Sequence, residues 1–253
     1  MEALKKRNAP TRVITLAEEF TCSVCQEKRK IQTRHVATLG TLPPKLATVS
    51  VDGGKWCHPE SHEEFEFICA IDEGSRFRVT KIMKRGRKQT MSARDFLQFM
   101  DEHWIQYFGI PHTLRVDPSG AFRSREIESY CDSKGIFLDI IAGEAHWQLG
   151  TCEQAIRGVK EVLTKLAETE PHEEVERLLS EATRTFNHRE MVRGFSPVQH
   201  LMGRCPDETN RMVDGLTERG PEPILEPASG EVQRSIELQR QAETALSHWQ
   251  AKE

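Results

Sequence analysis

EFEFICAIDEGSRFRVTKIM, residues 64–83, decides the fold. EFEFICAID and RFRVTKIM each have strand length and strand composition, and EGS between them is a short turn, so the pair reads as an antiparallel hairpin. Just upstream, LATVSVD (residues 46–52) reads as another strand, ending at Asp52. The three together predict an antiparallel meander.

Downstream the periodicity changes. SARDFLQFMDEHWIQYFG (92–109) places Phe96, Leu97, Met100, Trp104 and Phe108 at helical spacing, and Gly109 followed by Pro111 supplies a stop. HTLRVD (112–117) is a strand ending at Asp117, REIESYCDSKG (125–135) is a helix closed by Gly135, and IFLDIIA (136–142) is a strand. After the loop GEAHWQLG (143–150), one helix is expected over 151–168 and another over 172–188. This order predicts the α/β class: a mixed five-stranded sheet flanked by helices on both faces, its later strands parallel and joined by helical crossovers.

GFSPVQHLMGR (194–204) reads as a capped helical turn, with Pro197 at the first helical position after Ser196. GLTERGPEPILEPASG (215–230) has the composition of a linker. The final stretch, 231–250, sets Val232, Ile236, Ala242, Leu246 and Trp249 on one helical stripe with Leu238 at its edge. Such a helix could extend from the core or pair with a partner. The chain therefore divides into an N-terminal segment (1–44), a core with its following helices (45–205), and an acidic linker with a C-terminal helix (206–253).

At 253 residues, 37% apolar and 29% charged, the chain is neither a disulfide-stapled peptide nor a disordered one. No apolar run reaches the roughly 18 residues of a membrane span, and MEALKKRNAP lacks the apolar stretch of a secretory signal. An intracellular protein with no membrane partner is expected. Seven scattered cysteines point to reduced thiols, and only Cys22 and Cys25 have metal-binding spacing. The net charge of −4 conceals an asymmetry: residues 76–94 hold eight basic side chains and no acidic one, whereas five basic face ten acidic beyond Pro206. That basic run is either a solvated strand and loop or a surface for phosphate backbones.

Three acids stand where acids are structurally uneconomical: Asp52 and Asp117 at strand ends, and Glu153 in the opening turn of a helix. Carboxylates grouped at one sheet edge repel unless a cation neutralises them, and oxygen ligation suits Mg²⁺. A pair of such ions supports phosphodiester chemistry. The plainer readings are turn formation for Asp117 and a dipole or capping-box role around Glu153, since Thr151 and Gln154 have capping-box spacing. Helical phase sets Glu153, Arg157 and Lys160 on one side, opposite Ala155, Val159, Val162, Leu163 and Leu166.

With 64 and then 35 intervening residues, Asp52, Asp117 and Glu153 resemble the D,D,E triad of retroviral and retrotransposon integrases. HTLRVDPSGAF is similar to that family's strand and D-x-G-x-x-F turn, with Gly120 matching a loosened version of it and Phe122 the aromatic. WQLGTCEQAIRGVK is similar to its Q-x-x-G-x-x-E segment, through Gln148, Gly150 and Glu153, with the first gap one residue shorter here. FICAIDEGSRF resembles the second strand and turn, which makes Asp72 and Arg76 structural. FNHREMVRGFSPVQHLMGR resembles the stretch after the core in gypsy-type LTR retrotransposon integrases, and TCSVCQEKRK the second half of an N-terminal His-His-Cys-Cys zinc module. No histidine precedes Cys22, so Cys22 and Cys25 are a remnant and zinc is not expected there. Pro118 stands where the family has Asn, and Trp147 where it often has Pro.

The resemblance implies a ribonuclease H-like fold and a DNA recombinase: processing of donor DNA ends, then strand transfer into target DNA. Asp52, Asp117 and Glu153 would be catalytic and would bind two Mg²⁺ or Mn²⁺ ions. Gln148, Arg157 and Lys160 would hold DNA, supplemented by Lys84, Arg85, Arg87 and Lys88 through phosphate contact. The chain would act as a homo-oligomer in the nucleus. Two other readings stay open. One is a catalytically silent, domesticated or degenerate fragment that binds nucleic acid or protein. The other is a ribonuclease H-type nuclease with a fourth carboxylate, Asp72 or Asp139.

Overall fold

The computed structural model describes residues 42–86, 91–118, 122–141, 149–203 and 230–251, together with Thr11, Arg12 and Thr15. Strands β1 (Thr48–Cys57), β2 (Glu64–Asp72) and β3 (Arg78–Arg85) form the antiparallel meander. β4 (Thr113–Val116) and β5 (Phe137–Ile140) add in parallel beside β1, giving the order β3-β2-β1-β4-β5. With helices on both faces, this is the expected ribonuclease H-like sheet.

β1 corrects one expectation. It does not end at Asp52: its pairing with β2 continues through Gly53↔Ile68 to Cys57↔Glu64. Gly53 and Gly54 lie within the strand. Gly54 lies opposite Phe67, whose ring covers it so closely that a Cβ would sit 2.5 Å from Cζ. Trp56 then packs inward beside Phe65.

Alternation along the strands divides the core by face. Val49, Val51, Ile68, Ala70, Leu114 and Val116 face one layer, covered by the helix that begins at α1 (Ala93–Phe99) and by α2 (Arg125–Lys134). The helix after α1 passes through a π-helical segment, Met100–Ile105, before Gln106–Phe108, and buries Phe96, Met100 and Trp104. Ser92 caps it with a capping box to Asp95. Trp56, Phe65, Phe67, Cys69 and Ile71 face the other layer, built by α3 (Gly150–Thr169), α4 (Val175–Arg189) and α6 (Gly230–Gln250). Between α4 and α6 in sequence, α5 (Pro197–Met202) has the expected Ser196–Gln199 box and Pro197 in its first turn.

The C-terminal helix does not extend away. Leu238, Ala242, Ala245, Leu246 and Trp249 are buried against α3 and α4, and Trp249 meets Phe186 edge-on at 5.2 Å. Among the described residues no helix is long and apolar enough to cross a membrane.

Candidate active site

The parallel ladder between β1 and β4 runs from Thr48↔Thr113 to Val51↔Val116. Asp52 is the next residue of β1, and Asp117 is the first residue after β4. Because Val51 and Val116 face the α1 layer, both acids fall on the opposite side, the face on which α3 lies.

Glu153 arrives there with α3. That helix has no side-chain cap at Leu149, so the proposed box of Thr151 and Gln154 does not form; Thr151 lies inside the helix, where its hydroxyl accepts from Arg76. The first turn is fixed instead by Cys152, fully buried, whose Sγ is 3.5 Å from the carbonyl oxygen of Cys69 and 3.9 Å from that of Ser50. Further along, the Trp56 indole donates to Thr164 Oγ1 at 2.9 Å. These contacts lay α3 along β1 and put Glu153, exposed, at the height of Asp52.

The electrostatics agree. Burial pushes the Asp52 carboxyl up to about 6, and the negative charges of Asp117 and Glu153 push the same way, against a 2.7 Å hydrogen bond from the Gly53 N–H and the charge of Lys160. Lys160 is half-buried and its pKa is lowered by burial, with Asp52 acting in the other direction. Its positive charge acts on Asp52 from the same side of α3. Arg157 is exposed on the same helix face.

Among the described residues, no group of three or more His, Cys, Asp or Glu side chains converges closely enough to hold a metal ion. Asp52 and Asp117 nonetheless have the donor chemistry of a hard divalent cation, and the repulsion on Asp52 is what such a cation relieves. Glu153 would have to turn inward to join them.

Other expected contributors lie elsewhere. Lys84 and Arg85 are on β3, at the sheet edge farthest from β4 and β5, and are paired with Asp95 (3.0 Å) and Glu176 (2.6 Å). Their charges are already met within the chain. Gln148, Arg87, Lys88, Gly120, Cys22 and Cys25 lie outside the described residues. Asp72 is structural: fully buried, it accepts from the N–H groups of Leu46 and Ser75 and from the Ser75 hydroxyl.

Arg115 and Glu73 carry no motif and were not singled out from the sequence, and Asp139 was considered there only as a fourth carboxylate. Arg115, two residues before Asp117, donates to Asp139 (2.8 Å) and to Glu73 (2.7 Å), and Glu73 accepts from Ser50, two residues before Asp52. The network crosses β1, β4 and β5 directly behind the acid pair. Asp139 is engaged there by Arg115, as Asp72 is by the β2–β3 turn.

No family model matches the sequence, and no curated protein matches it. Solved structures do. A chain of the simian T-cell lymphotropic virus intasome, in complex with PP2A regulatory subunit B56 gamma, is 20% identical with a TM-score of 0.55, over 78% of this chain and 69% of that one. The HTLV-2 integrase catalytic core domain in complex with magnesium matches in its dimeric form at 18% identity and TM-score 0.51, over 64% of this chain and 98% of that one. Its trimeric form matches at 19% and 0.50, over 63% and 97%. At such identities the likeness is one of fold.

Proposed function

We propose that the chain is an integrase-type DNA recombinase core, performing metal-dependent phosphoryl transfer: processing of donor DNA ends and strand transfer into target DNA. The observation that carries this reading is the side-by-side exit of Asp52 and Asp117 from the β1–β4 ladder, on the face where α3 brings Glu153. The fold shared with the HTLV-2 core, solved with magnesium, supports it. The GFSPVQHLMGR phrase and its capping box favour a retrotransposon integrase of the gypsy type.

Mg²⁺ or Mn²⁺, when bound, would polarise the scissile phosphate and lower the pKa of the attacking water or 3′ hydroxyl. Asp52 and Asp117 would hold one ion, and Glu153 with either aspartate the other. The chain's own residues set the conditions. Burial and the neighbouring acids disfavour the charged form of Asp52, a penalty that a bound cation would relieve. Lys160 balances the cluster, and Arg157, one turn beyond Glu153, meets a DNA phosphate, with Gln148, Arg87 and Lys88 as further contacts. DNA and further copies of the chain are the partners, in the nucleus.

A second reading, the catalytically silent fragment, is favoured by one observation: no three acids converge within a metal's reach among the described residues. A strand-transfer assay with Mg²⁺ or Mn²⁺ decides. The natural chain is expected to be active, and Asp117→Asn and Glu153→Gln to fall to background. Activity retained by both variants would discredit the metal assignment; inactivity of every version would leave the fold intact and favour the silent reading.

A further inference from the structure

A cavity of about 390 Å³ opens where the β1–β2 turn, residues 58–63, faces the connection from α3 to α4. Ligand pockets span roughly 300–1,000 Å³. Phe65 and Val175, both buried, and Pro171 form the apolar part of its lining. Cys57, which ends β1 just before this turn, lies five residues beyond Asp52, roughly 17 Å along the strand. The cavity is thus separate from the acid pair. Its buried polar member is His58, 5% exposed. The Nδ1 of His58 accepts from the backbone N–H groups of Glu60 and Ser61, both at 3.2 Å, so the ring carries its proton on Nε2. With Nδ1 turned into the hairpin turn, the Nε2 edge is left to the cavity. That N–H has no acceptor among the described residues, and it is not sealed within the core.

Glu60, Glu63, Glu173 and Glu174 stand around His58. Two arginines lie close by, and each is bonded to a carboxylate of its own: Arg85 to Glu176 at 2.6 Å, and Arg177 to Glu173 at 3.4 Å. Glu60, Glu63 and Glu174 are exposed and make no ion pair among the described residues, although the charge of Arg85 is felt at Glu63 and Glu174. With both arginines offset, three negative charges remain. His172, also on the lining, is neutral unless protonated. Helix capping does not account for the three acids: Glu174 is the N-cap of α4 but makes no side-chain cap bond, and Glu60 and Glu63 belong to the hairpin turn.

A single metal ion does not fit this set. No three of the groups converge on one point, and a protonated Nε2 offers no lone pair. A polyamine brings cations but no acceptor for His58. A lysine or arginine within a peptide brings a cation, an aliphatic stem for the apolar lining, and a carbonyl. We propose that this cavity binds a basic segment of a partner protein: a lysine or arginine side chain is held by Glu60, Glu63 and Glu174, and an adjoining backbone carbonyl accepts from His58 Nε2. Neither DNA nor a catalytic metal takes part, so the site stands or falls apart from the recombinase reading.

The test uses the full chain in EDTA, at low salt and about pH 8, where free histidine is neutral. The probe is a fluorescein-labelled, end-capped peptide of glycine with three lysine or arginine residues, read by fluorescence anisotropy. Saturable binding is expected, with spermidine, of equal charge, competing about fivefold more weakly for want of an acceptor. Glu60→Gln, Glu63→Gln and Glu174→Gln together are expected to weaken the peptide about tenfold. All three side chains are exposed, so the fold is not at stake. Removing as many charges from α2, on the other face of the sheet, by Glu126→Gln, Glu128→Gln and Asp132→Asn, is expected to leave affinity within about twofold. No saturable binding, an equal loss in the α2 variant, or spermidine binding as tightly as the peptide overturns the proposal.

Discussion

Cys152 and Asp52 are joined through a single residue: Cys152 Sγ lies 3.5 Å from the carbonyl oxygen of Cys69, and Cys69 is the antiparallel partner of Asp52. The helix that carries Glu153 is thereby fixed to the rung of the sheet that carries Asp52. Distance between the acids is set by backbone contacts, with no side-chain bond between them.

A larger side chain at that point should separate the acids. Cys152→Leu is expected to lower stability by about 1–3 kcal/mol through overpacking and to abolish any strand transfer. Cys152→Ala should keep both largely intact. Urea denaturation alongside the strand-transfer assay checks this, and a fully active Cys152→Leu protein would show that the contact does not position Glu153.

Asp52 makes stability depend on pH. Its carboxyl is raised from 3.8 to about 6 in the folded protein, so the fold binds this proton more tightly than the unfolded chain does. The resulting stability is fully present below pH 3.8 and lost as pH rises through about 6. Asp52→Asn should therefore stabilise the metal-free protein at pH 8, by on the order of 1–3 kcal/mol, and give no gain at pH 4. Urea midpoints at the two pH values measure it. An equal gain at both would mean that packing, not ionisation, is responsible.

Arg115 and Asp139 are opposite one another in the β4–β5 ladder and bonded at 2.8 Å. Arg115→Met leaves Asp139 and Glu73 without their cation and should cost about 2–4 kcal/mol. In a double-mutant cycle with Asp139→Asn, the coupling should be about 1–2 kcal/mol. Additive effects would show that the pair does not hold β5 to β4.

Gly158 is where α3 meets the C-terminal helix. A Cβ there would lie 2.7 Å from Phe186 Cζ and 3.1 Å from Trp249 Cζ2. Gly158→Ala should cost about 1–3 kcal/mol by overpacking, and Trp249→Ala about 3 kcal/mol by opening a cavity. Both should speed proteolysis of α6. Unchanged cleavage would mean that the helix is held by other contacts.

Much of this was legible in advance because the strands have strong local signals. EFEFICAID and RFRVTKIM give the meander, and the apolar phase of α3 gives its buried face. Asp52 was placed at a strand end, whereas β1 runs on through Gly53 and Gly54, the latter under the ring of Phe67, a contact made across the sheet. The Thr151–Gln154 box failed for a similar reason: Arg76, 75 residues away, takes the threonine hydroxyl. The basic run is plain in the sequence, but the acids that pair with Lys84 and Arg85 come from other helices. Arg115, Glu73 and Asp139 are scattered singly and meet only when β4 inserts beside β1.

The docking of α6 on α3 and α4 has a consequence for biosynthesis. One face of the sheet can be covered while the chain is still emerging from the ribosome, since α1 and α2 lie close to their strands in sequence. The other layer has α3 and α4 on the sheet earlier but lacks its outer helix until residues 230–250 have been translated, which leaves an interval in which a nascent chain shows Phe186 and its neighbours to chaperones.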